Sequence, residues 1–169
     1  MDETRLERLV ELIGEFNNAM LVTRSNDGEL RSRPMAIADA TDTARLWFIT
    51  SNKSGKLEEL TDYPQVNIAM QGDRHYLSIS GTARVSKNRE RIKELWNPIN
   101  NIWFEGPDDP TTILLEIVPT TAEYWDNSGA EGLKFLFESA KALLSGDDPD
   151  YDESQHGKVE FPDRQIQTG

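Results

Sequence analysis

The amino-acid sequence predicts a mainly β protein, a small β-barrel of about six short strands with helices packed outside it. Short apolar runs rich in aromatic and β-branched residues recur between turn signals, and Leu46–Thr50 and Thr111–Val118 are the clearest of them. Segments with helical spacing are fewer, and they lie between these runs or near the ends of the chain. A length of 169 residues is sufficient for one domain with a single core.

The first half of the chain predicts one helix followed by a meander of strands. The segment Asp2–Asn17 is amphipathic, because its apolar residues recur at intervals of three and four. Asp27-Gly28 is the strongest hairpin signal in the chain. The predicted elements are a helix at Asp2–Asn17, a strand at Ala19–Thr23, a turn at Ser25–Gly28, a strand at Leu30–Ala38, a turn at Asp39–Thr43 and a strand at Leu46–Thr50.

The second half predicts a helix after Lys56 and then further strands. Gly81 indicates a β-bulge, and the aromatic loop residues Trp103 and Phe104 are expected to be buried. The predicted elements are strands at Val66–Met70 and His75–Ser86, a helix at Lys87–Trp96, an irregular loop at Asn97–Pro110, a strand at Thr111–Val118 that Ala122–Trp125 extends, and a helix at Gly132–Leu144.

The sequence predicts one folded domain, residues 1–144, and an acidic tail, residues 145–169. The tail has seven acidic residues against only Lys158 and Arg164. Such a segment buries too little apolar surface to offset the entropy lost on ordering, so we expect it to be disordered.

The composition excludes several classes of function. A formal net charge of −12 argues against a nucleic-acid partner and against binding to anionic membranes. No apolar run approaches the ~18 residues of a membrane span, and the N-terminus lacks a signal-peptide core, so we expect a cytoplasmic protein. The chain has no cysteine, and its two histidines, His75 and His156, are far apart in the sequence. We therefore predict neither a metal site nor a Ser-His-Asp site.

The stretch from Arg45 to Leu60 predicts a strand that leads through a small polar loop into a helix. Ser54 is a candidate N-cap of that helix, and Lys53 and Lys56 flank its start. Exposed amides and two ammonium groups at a helix start favour a bound phosphate. The alternative is a solvated loop whose lysines only maintain solubility, and this stretch alone leaves both interpretations open.

Arg31 and Arg33 have the same parity on their strand, so both side chains are predicted to face one way. Two arginines on one face suit either an anionic ligand or a salt-bridged exterior, and on this evidence alone we favour the exterior. Trp125 at a strand end suits stacking on a planar ring, although tryptophan is more often a core or interface residue.

Four motifs together resemble a known family. RSRPM, FITSNKSGK, YLSISGTARV and AEYWD occur in this order, as in the FMN-binding split barrels related to pyridoxamine 5′-phosphate oxidase. The segment LWNPINNIWFEGPDDPTTILLEI before AEYWD is closer still to the general stress protein 26 branch. The resemblance extends from about Leu6 to Trp125.

This resemblance implies a six-stranded split barrel that forms a homodimer, with two FMN sites at the subunit interface. It implies that Ser54 and Lys56 hold the FMN phosphate and that the partner subunit lends the residue matching Trp125, with Trp103 nearby. The remaining positions that match flavin contacts are Arg33, Pro34, Met35 and Ala36 on one strand, Ile49 and Thr50 on the next, and Tyr76.

Departures from the family pattern argue against oxidation of vitamin B6. Gly55 stands where an arginine often separates the phosphate-binding residues, which predicts a weaker hold on phosphate. Ala38 replaces an expected lysine, Asn97 an expected arginine, and residues 126–131 contain neither arginine nor histidine. The cations that would hold that substrate are therefore missing.

The function that the resemblance implies is reduction of a small planar or quinone-like compound by electrons from a reduced nicotinamide. The bound flavin would carry the redox chemistry. Arg33 would favour the reduced anionic flavin if its side chain turns inward, and we assign no catalytic residue. The alternatives are a non-catalytic module that stores or senses flavin, and a barrel that binds F420. Haem is disfavoured because His75 is the only histidine expected in the core.

Overall fold

The computed structural model describes residues 2–127 and 156–162 of the chain. The helices are α1 (Glu3–Ile13), α2 (Lys56–Asp62) and α3 (Arg89–Glu94), with a 3₁₀ helix at Pro98–Ile102. The strands are β1 (Asn18–Arg24), β2 (Leu30–Ala36), β3 (Asp39–Ala40), β4 (Leu46–Ser51), β5 (Gln65–Gln71), β6 (His75–Ser86), β7 (Thr112–Asp126) and β8 (His156–Glu160).

The strands form one curled antiparallel sheet. Their order is β2-β1-β5-β6-β7-β4-β3, and β8 pairs with β7 outside this path. Only residues 37 and 38 separate β2 from β3, so the two ends of the path are joined by the chain. The Ala38 amide also donates a hydrogen bond to the Trp47 carbonyl at 2.8 Å, which ties this junction to β4. If β2 and β3 are taken as one bent segment, six segments form the barrel.

β7 organises the sheet because it has three strand partners. β6 pairs along one edge for almost its whole length, with a register shift at Ser80/Gly81. Along the other edge, β4 pairs with Thr112–Ile117 and β8 pairs with Thr121–Trp125. The two halves of this edge therefore have different partners.

The inner face of the curled sheet contains the core. Side chains alternate between buried and exposed along β1, β4, β5 and β6, as period-two strands require. Phe48 and Leu115 are fully buried within this core, and Leu9 and Leu12 of α1 also belong to it. Asp2 caps α1 by accepting a hydrogen bond from the Arg5 amide.

Most of the predicted elements are present. The mainly β split-barrel fold and the bulge at Gly81 are confirmed. The helix predicted at Asp2–Asn17 is shorter, since it extends only from Glu3 to Ile13. The strand predicted at Thr111–Val118 and its extension at Ala122–Trp125 form one continuous strand, β7, which includes Pro119. None of the helices in the described ranges is long and apolar enough to cross a membrane.

Two predictions about loops and the tail are wrong. Trp103 was expected to be buried but is 65% exposed, whereas Phe104 is half-buried with its ring against the edge of Trp96. His156–Glu160 belongs to the segment predicted to be disordered, yet it forms β8. The helix predicted at Gly132–Leu144 and the other tail residues, except 161 and 162, lie outside the described residues.

Candidate cofactor site

The hairpin of β1 and β2 faces helix α2 through an ion-pair network. Arg31 and Arg33 point to the same face, as their parity predicted, and both contact Glu59 of α2. Arg33 Nη2 donates to Glu59 Oε1 at 2.8 Å, and its Nη1 lies 2.8 Å from Oε2. Arg31 Nη1 donates to Oε1 at 3.2 Å and is also paired with Asp27 on the outer side.

Thr23 on β1 completes this network beneath the arginines. Its hydroxyl donates to Glu59 Oε2 at 2.6 Å and accepts a hydrogen bond from Arg33 Nη1 at 2.7 Å. The Glu59 side chain is only 7% exposed. Hydrogen bonds from Arg33, together with those from Thr23 and the charge of Arg31, lower the pKa of Glu59 from 4.5 to about 2. Glu59 is therefore a buried carboxylate that remains charged at neutral pH.

A cavity of about 410 Å³ opens beside the network. Its walls are residues 25–27 of the hairpin turn, Arg31 and Arg33 on β2, and Gly55, Glu58 and Glu59 around the start of α2. Gly55, which lies between the predicted phosphate-binding residues Ser54 and Lys56, thus shares one cavity with the two guanidinium groups, whereas Ser54 and Lys56 do not line it.

Lys56 is buried at the first turn of α2 and is only 7% exposed. Within the described ranges, its ammonium group has no hydrogen bond and no ion pair. Burial lowers the pKa of Lys56, and the neighbouring positive charge of Arg33 lowers it further. Lys56 and Arg33 are therefore close enough to repel each other, and Glu59 only partly offsets that repulsion. An anion bound between them would relieve it.

The prediction that Ser54 caps α2 is wrong. Gly55 occupies the N-cap position with helical backbone angles, and the helix has no side-chain cap. The loop instead stabilises itself, because the Ser54 amide donates to the Ser51 carbonyl and the Ser51 hydroxyl accepts from the Lys53 amide. Ser54 remains half-exposed next to Lys56, while Lys53 is exposed.

The predicted ring-contacting residues lie on β2 and β4. Met35 is buried, whereas Pro34 and Ala36 are exposed on the opposite face of β2. On β4, Thr50 is buried and Ile49 is half-buried. These residues approach the start of α2 along the chain, because β4 ends five residues before Lys56.

Tyr76 and Trp125 form a second group, at the opposite end of β7. They are cross-strand partners on β6 and β7, and each is about two-fifths exposed. His156 of β8 extends the row: its ring stacks on Trp125 with centroids 5.0 Å apart and planes inclined by 15°. Its Nε2 lies 3.3 Å from Glu123 Oε2. The row therefore presents three adjacent rings on one face of the sheet.

Measured along β7, the end of β4 that leads to Lys56 lies far from Trp125 of the same chain. Ser51, at the end of β4, pairs with Thr112 at the start of β7, whereas Trp125 lies near its end. About 40 Å of strand contour separates Thr112 from Trp125. A ligand anchored at Lys56 is thus far from Trp125 of the same chain when measured along this strand.

Sequence reasoning missed Thr23, Glu59 and His156. Glu59 lies 26 residues from Arg33 on a different element, and no local pattern links an arginine to such a distant carboxylate. The sequence around His156 did contain a pattern typical of a strand, because HGKVE alternates polar residues with the buried Gly157 and Val159. That alternation predicts a strand, but the acidity of the surrounding tail concealed it.

Comparison with known proteins gives a consistent result. Residues 4–150 match the family model described as pyridoxamine 5′-phosphate oxidase like. General stress protein 26 of Bacillus subtilis (strain 168) is 30% identical over 83 residues, which cover 46% of this chain and 59% of that protein. The chain spans only 57% and 59% of the lengths of the two curated relatives it matches.

Solved structures show the same similarity. A candidate general stress protein 26 from Jannaschia sp. CCS1 is 29% identical with a TM-score of 0.64, and the match covers 94% of this chain and 95% of that one. The general stress FMN/FAD binding protein from Xanthomonas citri is 25% identical with a TM-score of 0.59, covering 76% and 89% respectively.

Proposed function

Since the chain belongs to the pyridoxamine 5′-phosphate oxidase-like family, within its general stress protein branch, we propose that it is a flavoprotein that binds FMN. The similar protein from Xanthomonas citri is described as binding FMN or FAD, which supports a flavin as the ligand. Within this proposal, Ser54 and Lys56 hold the flavin phosphate. Arg33, Pro34, Met35 and Ala36 on β2, with Ile49 and Thr50 on β4, line the ring.

The observation that carries the proposal is Lys56, whose side chain is largely buried while its ammonium group has no hydrogen bond or ion pair among the described residues. A largely buried cation is costly unless an anion pairs with it. Glu59, the carboxylate three residues further along α2, is already bonded to two arginines and Thr23. The positive charge of Arg33 lowers the pKa of Lys56, and a bound phosphate would offset that charge and pair with the ammonium group.

The exposed aromatic row supports a homodimer with flavin at the interface. Tyr76 and Trp125 are each about two-fifths exposed in the single chain. A second copy of the chain would bring its own Tyr76 and Trp125 to a flavin held at Lys56. The exposed aromatic row would then lie at the interface, where aromatic residues are enriched.

When bound, FMN would supply hydride or single-electron transfer to a small planar acceptor. The protein's own contribution would be to hold the phosphate and position the ring, and we assign no acid–base residue. The proposed activity is reduction of a quinone-like compound at the expense of a reduced nicotinamide, in the cytoplasm. A true pyridoxamine 5′-phosphate oxidase activity is not proposed, because Ala38 and Asn97 stand where substrate cations are expected.

One observation favours a non-catalytic flavin-binding module instead. Both terminal nitrogens of Arg33 are bonded to Thr23 and Glu59. The cation predicted to stabilise the reduced anionic flavin is thus committed to the protein. Steady oxidation of NADH or NADPH by the purified protein with a quinone would support the oxidoreductase. Bound flavin without such turnover would support the module.

The test of the phosphate site is the substitution Lys56→Met, with Lys53→Met on the same loop as the matched control. Loss of one charged contact predicts an FMN dissociation constant higher by roughly tenfold to hundredfold. Riboflavin, which lacks the phosphate, should bind equally well to both variants and to the wild type. Equal FMN affinity in the wild type and Lys56→Met would show that the phosphate assignment is wrong.

The ligand itself is identified by the absorption spectrum of the purified protein and by mass spectrometry of whatever denaturation releases. FMN is the expected result. Release of F420 would show that the cofactor is F420 and not FMN, while the assignment of the barrel fold would stand. A colourless protein that also fails to take up added FMN would refute the proposed function.

A further inference from the structure

We propose that Glu59 is a positioning residue, which locks the loop that carries Ser54 and Lys56 onto the β1–β2 hairpin before a ligand binds. The inference depends on the proposed function only for the identity of the anion, which is taken to be the flavin phosphate. Its structural content, a loop held in place by one buried carboxylate, is independent of that function.

Glu59 is suited to this task because its contacts cross from one element to another. Among the described residues, no other side chain of α2 has a hydrogen bond to the hairpin. The Glu59 carboxylate has three donors there, the hydroxyl of Thr23 and the guanidinium groups of Arg31 and Arg33. A carboxylate bonded at both oxygens to fixed strands permits little rotation or translation of its helix.

The position of Glu59 couples this lock to Lys56. The two residues are three apart in α2, so they lie on the same face of the helix. Both are buried on that face, and Lys56 lies within the electrostatic influence of Arg33. Any movement of α2 away from the hairpin therefore moves Lys56 away from Arg33.

The sign of the charges predicts what happens when the lock is lost. Arg31 and Arg33 converge on a single buried carboxylate, and the positive charge of Arg33 also acts on Lys56. Without that carboxylate they repel one another, and the two elements separate. A phosphate would then be unable to contact Lys56 and the hairpin at the same time.

An opposing interpretation treats Glu59 as a competitor of the phosphate for the guanidinium of Arg33. Under that interpretation, removing the charge would free Arg33 and tighten FMN binding. The two interpretations thus predict opposite changes in FMN affinity.

The experiment compares Glu59→Gln with Asp62→Asn, which changes an exposed carboxylate of α2 that does not line the cavity. For Glu59→Gln we expect the FMN dissociation constant to rise about tenfold, with riboflavin affinity unchanged. Asp62→Asn should leave both affinities at their wild-type values. FMN binding that is unchanged or tighter in Glu59→Gln would overturn the proposal.

Thr23→Val provides a second variant that retains every charge. It removes the hydroxyl that joins Arg33 to Glu59, so it loosens the lock without altering the attraction between cations and phosphate. Weaker FMN binding with unchanged riboflavin binding is again expected. Wild-type FMN binding in Thr23→Val would show that the charge of Glu59 matters but its positioning does not. If Glu59→Gln fails to fold, this variant decides the question.

A second measurement separates this inference from the proposed function. If the wild type binds neither FMN nor riboflavin, the proposed function fails, but amide hydrogen exchange at residues 52–57 still reports on the lock. Exchange there should be faster in Glu59→Gln than in the wild type or Asp62→Asn, while exchange in β6 and β7 stays constant. Equal exchange at residues 52–57 in all three proteins would refute the positioning role.

Discussion

Glu59→Gln should remove a pH-dependent part of the stability of this protein. The pKa of Glu59 is about 2 in the folded chain and 4.5 in its ordinary state. Because the folded value is the lower one, the charged carboxylate stabilises the folded state. This stabilisation is complete above about pH 4.5 and is lost as the pH falls towards 2.

The lowered pKa sets the magnitude of the effect. It corresponds to about 3 kcal/mol of stability at neutral pH, of which about 2 kcal/mol is lost by pH 3. The Glu59 side chain is 7% exposed, so solvent screens its carboxylate only weakly, whereas Arg31 is 46% exposed and contributes less than Arg33. The wild type should therefore exceed Glu59→Gln by about 3 kcal/mol in the free energy of unfolding at pH 7, and by only about 1 kcal/mol at pH 3.

Urea unfolding of both proteins at pH 7 and pH 3, followed by tryptophan fluorescence, measures this difference. The comparison is needed because Asp27 and Asp109 also have lowered pKa values, through hydrogen bonds from Ser25 and Thr111. Their contributions occur in both proteins and largely cancel. Asp62→Asn, at an exposed residue of the same helix, is the control and should match the wild type at both pH values. An equal difference between wild type and Glu59→Gln at both pH values would refute the assignment of Glu59 as an ionised, buried network residue.

Three glycine substitutions test the packing of the sheet by the same unfolding measurement. Gly157→Ala should destabilise the protein by at least about 1–3 kcal/mol, because the added carbon would lie 2.1 Å from the ring of Tyr124. Gly81→Ala should cost a similar amount, since its carbon would lie 2.5 Å from the carbonyl oxygen of Val118 and a backbone atom moves less easily. Gly55→Ala is the matched control: its backbone is helical and no atom lies within 4 Å, so it should be neutral or stabilise by up to about 1 kcal/mol. Wild-type stability in Gly157→Ala would show that β8 does not pack against β7 as described.

The strands were predictable because the sequence of each strand contains a local pattern of alternating residues. His75–Ser86 was predicted with its observed bounds, since alternating burial within a strand leaves a local pattern in the sequence. The common face of Arg31 and Arg33 followed from parity alone. Their partner did not, because Glu59 is brought to them by the fold and not by spacing along the chain. The salt bridges that the sequence favoured for this pair are present, and their partner is the buried carboxylate of Glu59.

The incorrect predictions came from judging a segment without its surroundings. Ser54 is a good N-cap residue by type, but the loop closes on Ser51 and leaves the cap position to Gly55. Trp103 was expected to be buried because it is large and apolar. In a single chain it remains exposed at the end of the 3₁₀ helix.

β8 shows most clearly why the sequence of a segment is insufficient to predict its structure. Averaged over residues 145–169, the tail is too acidic and too polar to fold by itself. However, β4 covers only the first part of one edge of β7, which would leave the amides and carbonyls of Thr121–Trp125 without partners at that edge. A short strand that adds to an edge already formed needs few apolar contacts, and here the buried Val159 and the ring of Tyr124 over Gly157 provide them. The evidence for β8 therefore lies in the unpaired edge of β7, which becomes visible only after the pairing of the other strands is known.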